Sequence, residues 1–466
     1  MNGFVDTISS INETLNGFIW GPIMLFFFLL VGLLFTLRTK VFQVSRFRLW
    51  MRSTFLSIFT NRKVIRTDDK YAISQFQSLC TALAATIGTG NIAGVATAIT
   101  TGGPGAVFWM WFSAFLGMMT NYAENTLGIK YRYKNEKGNW VGGAMIYIER
   151  GLGWKWMALL FSVFCALASF GIGNMTQANS IASGLRSSFG ISPYITAAVI
   201  MVFTALVILG GIKRIASVTE KIVPFMAIFY ILGGLVILFA NVTRIPSAFG
   251  LIFSEAFNFR AASGGVLGYG ISVAMRRGIS RGVFSNEAGL GSSVMVHSAS
   301  DVEEPVIQGM WGIFEVFADT IIVCTITALT ILLSGVYDMD AYLSGVKTTT
   351  SVALTSEAFS TLIPFGDKFV AIAVMLFAFS TILGWSYYGE RAIEYLFGIK
   401  AIIPYKVIFI AMIFVGCVTS LNLVWDIADT LNGFMAIPNL IAITLLSGQV
   451  VKMTKDYLAK RSSVNL

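Results

Sequence analysis

The stretch at residues 81–97, TALAATIGTGNIAGVAT, is apolar enough to lie in a membrane but contains residues that interrupt a helix. Gly88 and Gly90 weaken its centre, because glycine is about 1 kcal/mol less favourable than alanine inside a helix. The polar side chains of Thr89 and Asn91 stand at the same point. Within hydrocarbon, irregular backbone survives only where protein buries it or where it lines a cavity. The pattern therefore predicts a broken membrane helix beside a binding site.

Two interpretations of these glycines compete. Gly90 and Gly94 have the GxxxG spacing that allows two helices to cross closely, whereas an unwound segment would present backbone dipoles to a solute. Thr89 and Asn91 favour the solute, because close packing does not require polar side chains beside the glycines. The close crossing remains an additional use of Gly94.

A broken helix offers unpaired N–H groups on one side and unpaired C=O groups on the other. We expect the N–H groups near Gly90 and Asn91 to hold a carboxylate, assisted by the side chains of Thr89 and Asn91. Carbonyl groups from Ala85 to Gly88 are placed to face a sodium ion. An amino acid beside Na⁺ uses both kinds of group, whereas a sugar would use them poorly.

A second polar face lies in the segment FGIGNMTQANS. Phe170, Asn174 and Gln177 follow the i, i+4, i+7 spacing that places side chains on one face of a helix. Asn and Gln are costly against lipid, so this face is predicted to point inward. Phe170, Asn174 and Gln177 are therefore predicted to contact the substrate, with Gln177 as the main solute contact. Hydrogen bonding between helices is the alternative for both amides.

The segment FAFSTILGWSYYGE supplies two adjacent hydroxyl groups, Ser380 and Thr381, deep in an apolar helix. Together with main-chain carbonyls they can complete an oxygen shell for Na⁺. The alternative is hydrogen bonding to the preceding turn of their own helix. Trp385, about one turn further on, is predicted to wall the pocket and limit its size.

Asp319 stands near the middle of another apolar stretch, with Glu315 one turn earlier on the same face. A carboxyl group inside the membrane is a functional candidate by default. Asp319 is therefore a candidate for ion coupling or for pairing with a substrate ammonium group. A neutral state or a pair with Arg276 or Arg277 is equally compatible with the sequence.

The composition shows what kind of protein must position these groups. The chain is 56% hydrophobic and only 12% charged over 466 residues, whereas a soluble domain is about 25% charged. It is therefore predicted to be a polytopic membrane protein that contacts the lipid bilayer. Its net charge of +9 is attributed to membrane topology and not to a nucleic-acid partner.

Other function classes are poorly supported. His297 is the only histidine, so neither a multi-histidine metal site nor a catalytic dyad is indicated. GTGNIAG does not match the GxGxxG dinucleotide pattern, and no organic cofactor is predicted. A channel would need a ring of like groups, whereas the polar groups here are unlike and lie in one chain.

A membrane-spanning helix needs about 20 mainly apolar residues. On this basis we predict an all-α fold with eleven spans, at residues 18–37, 75–101, 104–129, 156–184, 193–211, 217–240, 263–290, 308–334, 367–392, 403–420 and 424–448. With the N-terminus outside and the C-terminus cytoplasmic, most of the 33 lysines and arginines are assigned to the cytoplasmic side, as the positive-inside rule requires. Arg276, Arg277 and Arg281 are included in that assignment.

Setting the first span aside leaves two groups of five, and five is odd, so the second group must be inverted. Each group is predicted to open with a glycine-interrupted segment, at 81–97 and between Gly264 and Gly282. Such paired interruptions point to the site of a secondary transporter. The long connections 130–155 and 335–366 are each predicted to hold a short surface helix.

The chain divides accordingly into four parts. These are a peripheral helix with a basic cytoplasmic loop, a first repeat, a second repeat and a cytoplasmic tail, at residues 1–74, 75–240, 241–448 and 449–466.

Several long segments resemble the sodium:alanine/glycine symporter family. They are GGPGAVFWMWFSAFLG, TALAATIGTGNIAGVAT, FGIGNMTQANS, RGVFSNEAGLGS and WDIADTLNGFMAIPNL, spread over nearly the whole chain. The resemblance implies the five-plus-five inverted fold of the amino acid, polyamine and organocation superfamily, which is leucine-transporter-like, preceded by one peripheral helix.

The resemblance also implies function and site residues. It implies sodium- or proton-coupled uptake of alanine or glycine, sometimes glutamine, in a prokaryotic inner membrane. The implied substrate contacts fall on Thr89, Asn91, Gln177 and Trp385, and the implied sodium ligands on the hydroxyl pair at 380 and 381. The basic segment SVAMRRGIS departs from the expected pattern of its helix.

Overall fold

The computed structural model describes residues 2–257, 269–338, 351–419 and 422–464, and these are mostly helical. The helices before the first gap are α1 (Asn2–Ile19), α2 (Pro22–Arg38), α3 (Phe42–Ser45), α4 (Phe47–Ser53), α5 (Ser57–Thr60), α6 (Arg62–Ile65), α7 (Gln75–Thr86), α8 (Val95–Gly102), α9 (Gly105–Tyr131), α10 (Ala144–Leu152), α11 (Lys155–Phe170), α12 (Thr176–Phe189), α13 (Pro193–Ile208), α14 (Gly211–Ala240) and α15 (Ile245–Ala256). Wider π-helical turns at Gly90–Gly94 and Gly171–Met175 join α7 to α8 and α11 to α12, and a 3₁₀ turn at Val242–Arg244 precedes α15.

The remaining helices are α16 (Tyr269–Asn286), α17 (Val294–His297), α18 (Pro305–Val316), α19 (Thr325–Ser334), α20 (Ser351–Leu362), α21 (Gly366–Phe397), α22 (Ile402–Val418), α23 (Asn422–Leu445) and α24 (Ser447–Val464). A π-helical segment at Phe317–Cys324 joins α18 to α19, and a 3₁₀ turn at Ile399–Ala401 precedes α22. The short strands β1 (Tyr133–Lys134) and β2 (Trp140–Val141) pair antiparallel.

Each of the eleven predicted ranges contains a helix. By length and apolar composition, seven helices in the described residues qualify as membrane spans, and the bent pair Gln75–Thr86 and Gly90–Gly102 would be an eighth. Pro193–Ile208 is apolar but shorter. The multi-pass helical architecture is therefore confirmed, while the count of eleven stays a prediction.

The predicted interruption at 81–97 is present. α7 begins with a capping box, in which Ser74 and Gln77 each hydrogen-bond the other's backbone, and it ends at Thr86 after twelve residues. Ile87 leaves helical geometry, with ψ of 89°, and the helix that resumes at Gly90 is bent by 49° from α7. The glycines at 88 and 90 therefore break the helix as their low helix propensity predicts.

The predicted interruption of the second repeat is wrong for its described glycines and stays a prediction for the others. Gly264, Gly265 and Gly268 lie outside the described residues, whereas Gly278 and Gly282 lie within the continuous helix α16. A Cβ atom at Gly278 would come within 2.2 Å of the carbonyl oxygen of Ala106. These glycines let α16 pack closely on α9, which is a use of glycine that spacing alone does not distinguish from a break.

The interruption that the structure describes follows α16. The backbone leaves helical geometry after Asn286 and resumes a short helix only at Val294. Glu287, Gly289 and Gly291 have positive φ values of 55°, 94° and 72°. The second repeat therefore has a break opposite the first, but several residues later than predicted.

Arg276, Arg277 and Arg281 fall within α16, before its break. A Cβ atom at Gly102 would lie 2.8 Å from the Cβ of Arg277, and the Nε of Arg276 donates to the carbonyl oxygen of Trp20. Gly102 ends the broken helix at the end away from Ile73, which bonds to the Ser300 segment. Arg277 thus lies near the Gly102 end, and the cytoplasmic assignment of the three arginines stays a prediction.

The helices form two groups that meet at the broken helix. α9 packs against α16 and α18, whereas α21 packs against α11 and α12. α7 touches α14 and α21. Each long connection contains a short helix as predicted, α10 and α20, but residues 144–148 of α10 are buried and do not lie on the surface. The Thr355 hydroxyl of α20 donates to the carbonyl oxygen of Ile92, so this surface helix is attached to the interrupted segment.

Candidate functional site

A small cavity of about 20 Å³ lies where the broken helix meets α12, α21, α23 and the end of α16. The broken helix contributes Ala85, Thr86, Gly88, Thr89 and Gly90 to its wall. Four of these were predicted as cation or substrate contacts. The structure thus brings together residues that the sequence assigned to one site.

The hydroxyl pair on α21 meets the end of α7 on one side of this cavity. Ser380 Oγ lies 3.2 Å from the carbonyl oxygen of Ala84 and 2.8 Å from that of Phe377. Thr381 Oγ1 lies 3.1 Å and 3.0 Å from the same two oxygens. Four oxygen atoms from two helices therefore converge. Carbonyl oxygens of unwound helices are the groups that coordinate Na⁺ in secondary transporters. Both predicted uses of the hydroxyls, back-bonding and an inter-helix oxygen cluster, are present in the geometry.

Gly88 is required at its position by the approach of α21. A Cβ atom there would be 2.4 Å from Thr381 Oγ1, a distance at which α21 would have to move. The absence of a side chain at Gly88 thus keeps the broken helix against the hydroxyl pair.

Thr89 of the broken helix and Gln177 of α12 both line the cavity. The Nε2 of Gln177 donates to the carbonyl oxygen of Ile172 at 2.9 Å, which fixes the orientation of the amide. In the part of the chain that the structure describes, Gln177 Oε1 and Thr89 Oγ1 are buried and have no hydrogen-bond partner. Buried polar atoms are normally satisfied, so these two atoms are available to a bound solute.

Trp385 and Glu287 close another part of the cavity wall. The Nε1 of Trp385 donates to Glu287 Oε1 at 2.9 Å, and the Ser292 hydroxyl donates to Glu287 Oε2 at 2.5 Å. A Cβ atom at Gly173 would lie 2.3 Å from the Cβ of Trp385. The glycine in the π-helical turn of the α11–α12 span therefore lets the indole sit against that span and restrict the pocket.

Asn91 lies outside the cavity wall and stabilises the break instead. Its Oδ1 accepts from the backbone N–H of Gly88 at 2.9 Å. Its Nδ2 donates to Asp319 Oδ1 at 2.7 Å. The side chain predicted as a substrate contact thus supports the geometry of the neighbouring wall residues.

Asp319 is fully buried beneath the break. Its carboxylate accepts from the side chains of Asn91, Ser285 and Thr320. The partners that the described chain shows for it are neutral, and no described contact joins it to Arg276. Glu315, one turn earlier, instead contacts His297 Nε2 at 2.9 Å. Asp319 stays a coupling candidate, held next to the broken helix by hydrogen bonds.

Asn174 and Phe170 share a helical face with Gln177 but do not line the cavity. The Nδ2 of Asn174 donates to the carbonyl oxygen of Phe409 on α22. The ring of Phe170 lies 5.3 Å from that of Tyr405, centroid to centroid. Both side chains join the α11–α12 span to α22, which is the inter-helix alternative that the sequence left open.

Ala84, Glu287 and Asn432 were not predicted. Asn432 lines the cavity, and its buried Oδ1 has no hydrogen-bond partner. Glu287 falls within the predicted span 263–290, so the rule that flagged Asp319 would also have flagged it. The Ala84 carbonyl and the orientation of Asn432 have no signal in the sequence, because both depend on which helices pack together.

Gly94 does not serve a close helix crossing. Among the described residues, a Cβ atom at Gly94 would meet nothing within 4 Å beyond its own helix, whereas one at Gly90 would lie 3.2 Å from the Cα of Ser285. The GxxxG interpretation of this pair is therefore wrong, because only Gly90 faces a neighbouring helix.

A second cavity of about 150 Å³ adjoins the first and shares Thr89 and Phe284 with it. Arg281 also lines this second cavity. Arg281 Nη1 lies 4.0 Å from Asp429 Oδ1 on α23, and Asn16 of α1 donates to Asp429 Oδ2 at 3.2 Å. Phe284 thus separates the small cavity from a wider space that an ion pair borders.

Comparison with known proteins identifies related chains. The model of the sodium:alanine symporter family matches residues 5–465. A sodium/alanine symporter, AgcS of Methanococcus maripaludis, is 49% identical over 457 residues, covering 97% of this chain and 98% of that protein. A putative sodium/proton-dependent alanine carrier, YrbD of Bacillus subtilis, is 39% identical over 95% of this chain and 91% of its own length.

A solved structure supports the fold. MhsT in complex with L-phenylalanine matches with a TM-score of 0.58 and 16% sequence identity, covering 83% of this chain and 93% of that one. At this identity the likeness concerns the fold alone. The predicted leucine-transporter-like fold is therefore confirmed.

Proposed function

Because the chain belongs to the sodium:alanine symporter family, we infer that it couples the entry of Na⁺ to the uptake of a small neutral amino acid. It is a multi-pass membrane transporter and not an enzyme. Alanine is the proposed preferred substrate, with glycine as a smaller alternative. The observation that carries this proposal is the convergence of the Ala84 carbonyl with the Ser380 and Thr381 hydroxyls beside a cavity with unpartnered polar atoms.

The proposed cation site lies between α7 and α21. Its ligands are the carbonyl oxygens of Ala84 and Phe377 and the hydroxyl oxygens of Ser380 and Thr381. The last carbonyl groups of a helix have no partner within that helix, and they carry the negative end of its dipole. A monovalent cation at this point would replace the hydroxyl-to-carbonyl contacts with direct oxygen coordination. Ala85 and Gly88, the predicted carbonyl ligands, lie on the cavity wall nearby.

The proposed substrate site is the adjoining cavity. The first-turn N–H groups after a break lack partners within their helix, and the N–H of Gly88 is already bonded to Asn91. We place the substrate carboxylate at the N–H groups of Thr89 and Gly90, with the free Thr89 hydroxyl assisting. Gln177 and Trp385 face the rest of the substrate. Asn91, Asn174 and Phe170 are proposed to affect the substrate indirectly. They hold in place the backbone segments that surround the cavity.

Coupling follows from the shared wall between the two sites. Gly88 and Thr381 both line the substrate cavity, and Thr381 is also a proposed cation ligand. A cation that fixes α7 against α21 therefore also fixes the substrate wall, and each ligand raises the other's affinity by the same factor. Asp319 is proposed to contribute to coupling by placing a negative charge next to the break. Its hydrogen bond from Asn91 joins it to the broken helix.

We also propose the finer features of the transporter. The coupling ion is Na⁺ rather than H⁺, because the converging groups are oxygen ligands. The protein is placed in a prokaryotic inner membrane with its N-terminus outside and its C-terminus in the cytoplasm. This orientation rests on the basic residues assigned to the predicted cytoplasmic segments.

The test is uptake of labelled alanine into proteoliposomes containing the purified protein. An inward sodium gradient is expected to drive accumulation, whereas replacement of sodium by choline, with or without an inward proton gradient, is not. Unlabelled alanine, glycine, serine and glutamine are then compared as competitors in sodium buffer. Uptake that is indifferent to both gradients would overturn the proposal, and uptake driven by protons alone would overturn its choice of ion.

A further inference from the structure

Glu287 is a buried carboxyl group on the wall of the proposed substrate cavity. It is 3% exposed and occupies the first position after α16, with φ of 55°. Residues other than glycine rarely adopt this left-handed conformation. Its backbone N–H bonds to the carbonyl oxygen of Val283 at 2.9 Å, and its own carbonyl accepts from Leu290. The backbone thus holds the side chain at the cavity.

Two neutral hydrogen-bond acceptors accompany this carboxylate in the same wall. Among the described residues, Gln177 Oε1 and Asn432 Oδ1 are buried and have no partner. The orientation of Gln177 is set by the bond from its Nε2 to Ile172, so an oxygen and not an N–H₂ group remains free. Gln177, Asn432 and Glu287 come from three separate segments of the chain that line this cavity together.

A wall of this kind selects a ligand that brings donors and positive charge. A buried carboxylate without a compensating charge is costly in a medium of low dielectric constant. The bond from Trp385 orients Glu287 but does not neutralise it. An alkylammonium group carries three N–H donors and one positive charge, and charge-assisted hydrogen bonds are about twice as strong as neutral ones.

We infer that Glu287, completed by Gln177 and Asn432, recognises the α-ammonium group of the transported amino acid. This inference rests on the proposed function and assigns a role within the same site. Asp319, the candidate for this role from the sequence, does not line the cavity, whereas Glu287 does.

The assignment gives the substrate a direction. Its carboxylate lies at the break of the first repeat, near Thr89 and Gly90, and its ammonium group lies at the break of the second repeat, near Glu287. Each interrupted segment thus receives one charge of the zwitterion. The remaining space is limited by Trp385 and Phe284, so a large side chain has no room in this arrangement. Molecules that keep the carboxylate but lack the ammonium group are expected to be rejected.

The test compares two isosteric substitutions of buried carboxyl groups. Glu287→Gln removes the charge from the cavity wall, whereas Glu124→Gln removes one that is 1% exposed, bonds to Asn439 and does not line the cavity. Sodium-dependent alanine binding is measured for both. L-Lactate, which has a hydroxyl in place of the ammonium group, serves as the competing ligand.

We expect Glu287→Gln to weaken alanine binding about ten- to hundredfold and to leave the weak competition by lactate unchanged or stronger. Glu124→Gln is expected to bind alanine within about twofold of the wild type, since it touches no ligand. A sodium-induced rise in melting temperature in both variants shows that they are folded with an intact cation site. Glu287→Asp, which keeps the charge on a shorter side chain, is expected to discriminate against lactate more strongly than Glu287→Gln.

Two results would overturn the assignment alone. One is wild-type alanine affinity in Glu287→Gln, and the other is an equal loss of alanine and lactate. If Glu287→Gln does not fold, the assignment is tested by Glu287→Asp, and loss of all discrimination against lactate in that variant contradicts it. Absence of alanine uptake by the wild type instead overturns the proposed function, and the assignment with it.

Discussion

The hydroxyl of Thr381 lies 3.1 Å from the carbonyl oxygen of Ala84, although 297 residues separate the two in the chain. The contact forms where α7 ends and the first repeat is interrupted. An interrupted helix leaves its last carbonyl groups without partners, and α21 supplies hydroxyl groups at that point. The proposed cation site is thus a product of two helices that neither contains alone.

Replacing Thr381 by valine tests this site. The substitution keeps the shape of the side chain and removes the hydroxyl oxygen, so the apparent sodium affinity for alanine uptake is expected to fall about tenfold or more. Thr204→Val is the control, since Thr204 is buried on α13 and its hydroxyl has no partner. An unchanged sodium dependence in Thr381→Val would exclude this hydroxyl as a ligand.

Gly88→Ala is expected to abolish coupled uptake. The added methyl group would lie 2.4 Å from Thr381 Oγ1, so α7 and α21 would have to separate where the proposed cation ligands meet. Gly94→Ala is the matched control on the same segment, because a methyl group there meets nothing within 4 Å outside its own helix. Sodium-driven uptake close to that of wild type in Gly88→Ala would contradict the tight contact.

Gln177→Ala and Asn174→Ala separate a cavity contact from a packing contact on one helical face. Gln177→Ala removes an unpartnered oxygen from the cavity and is expected to lower alanine affinity by about tenfold. Asn174→Ala removes a bond to the Phe409 carbonyl and is expected to lower the melting temperature, with a smaller change in alanine affinity. Equilibrium binding and thermal unfolding measure the two effects, and the reverse pattern would exchange the two roles.

The Arg281–Asp429 pair is expected to restrict access to the site. Arg281 lines the wider cavity next to Phe284, and Asp429 is also held by Asn16 of α1. Arg281→Gln should therefore speed the reaction of a thiol reagent with a cysteine introduced at Thr97, which lines the same cavity. Arg244→Gln, at an exposed position, is the control. Equal labelling rates in both would show that the pair does not control access.

The native cysteines favour such labelling experiments. Cys80, Cys165, Cys324 and Cys417 are all buried and unpaired in disulfides. Protection of the introduced cysteine by sodium or alanine would then report on closure of the route, because a ligand shifts a conformational equilibrium only by its difference in affinity for the two states.

Sequence reasoning predicted the broken helix at 81–97, the approximate ranges of the helices and a short helix in each long connection. These features are local. Apolar length determines what can span a bilayer, and glycine propensity determines where a helix is weak. The failure at Gly278 and Gly282 marks the limit of that reasoning, because the same residue type also serves close packing against α9.

By itself the sequence determined the fold class and the family, and it predicted a site at the first interruption. Helical periodicity predicted Asn174 and Gln177 on one face, and the sequence placed Asn91 at the break. Only the tertiary structure decided that Gln177 faces the cavity while Asn174 meets α22, and that Asn91 turns toward Asp319, 228 residues away. The reason is physical. The helix period determines which side chains share a face, but the element that covers each part of that face is set by packing between distant segments. The same packing brings Glu287 and Asn432 to the cavity.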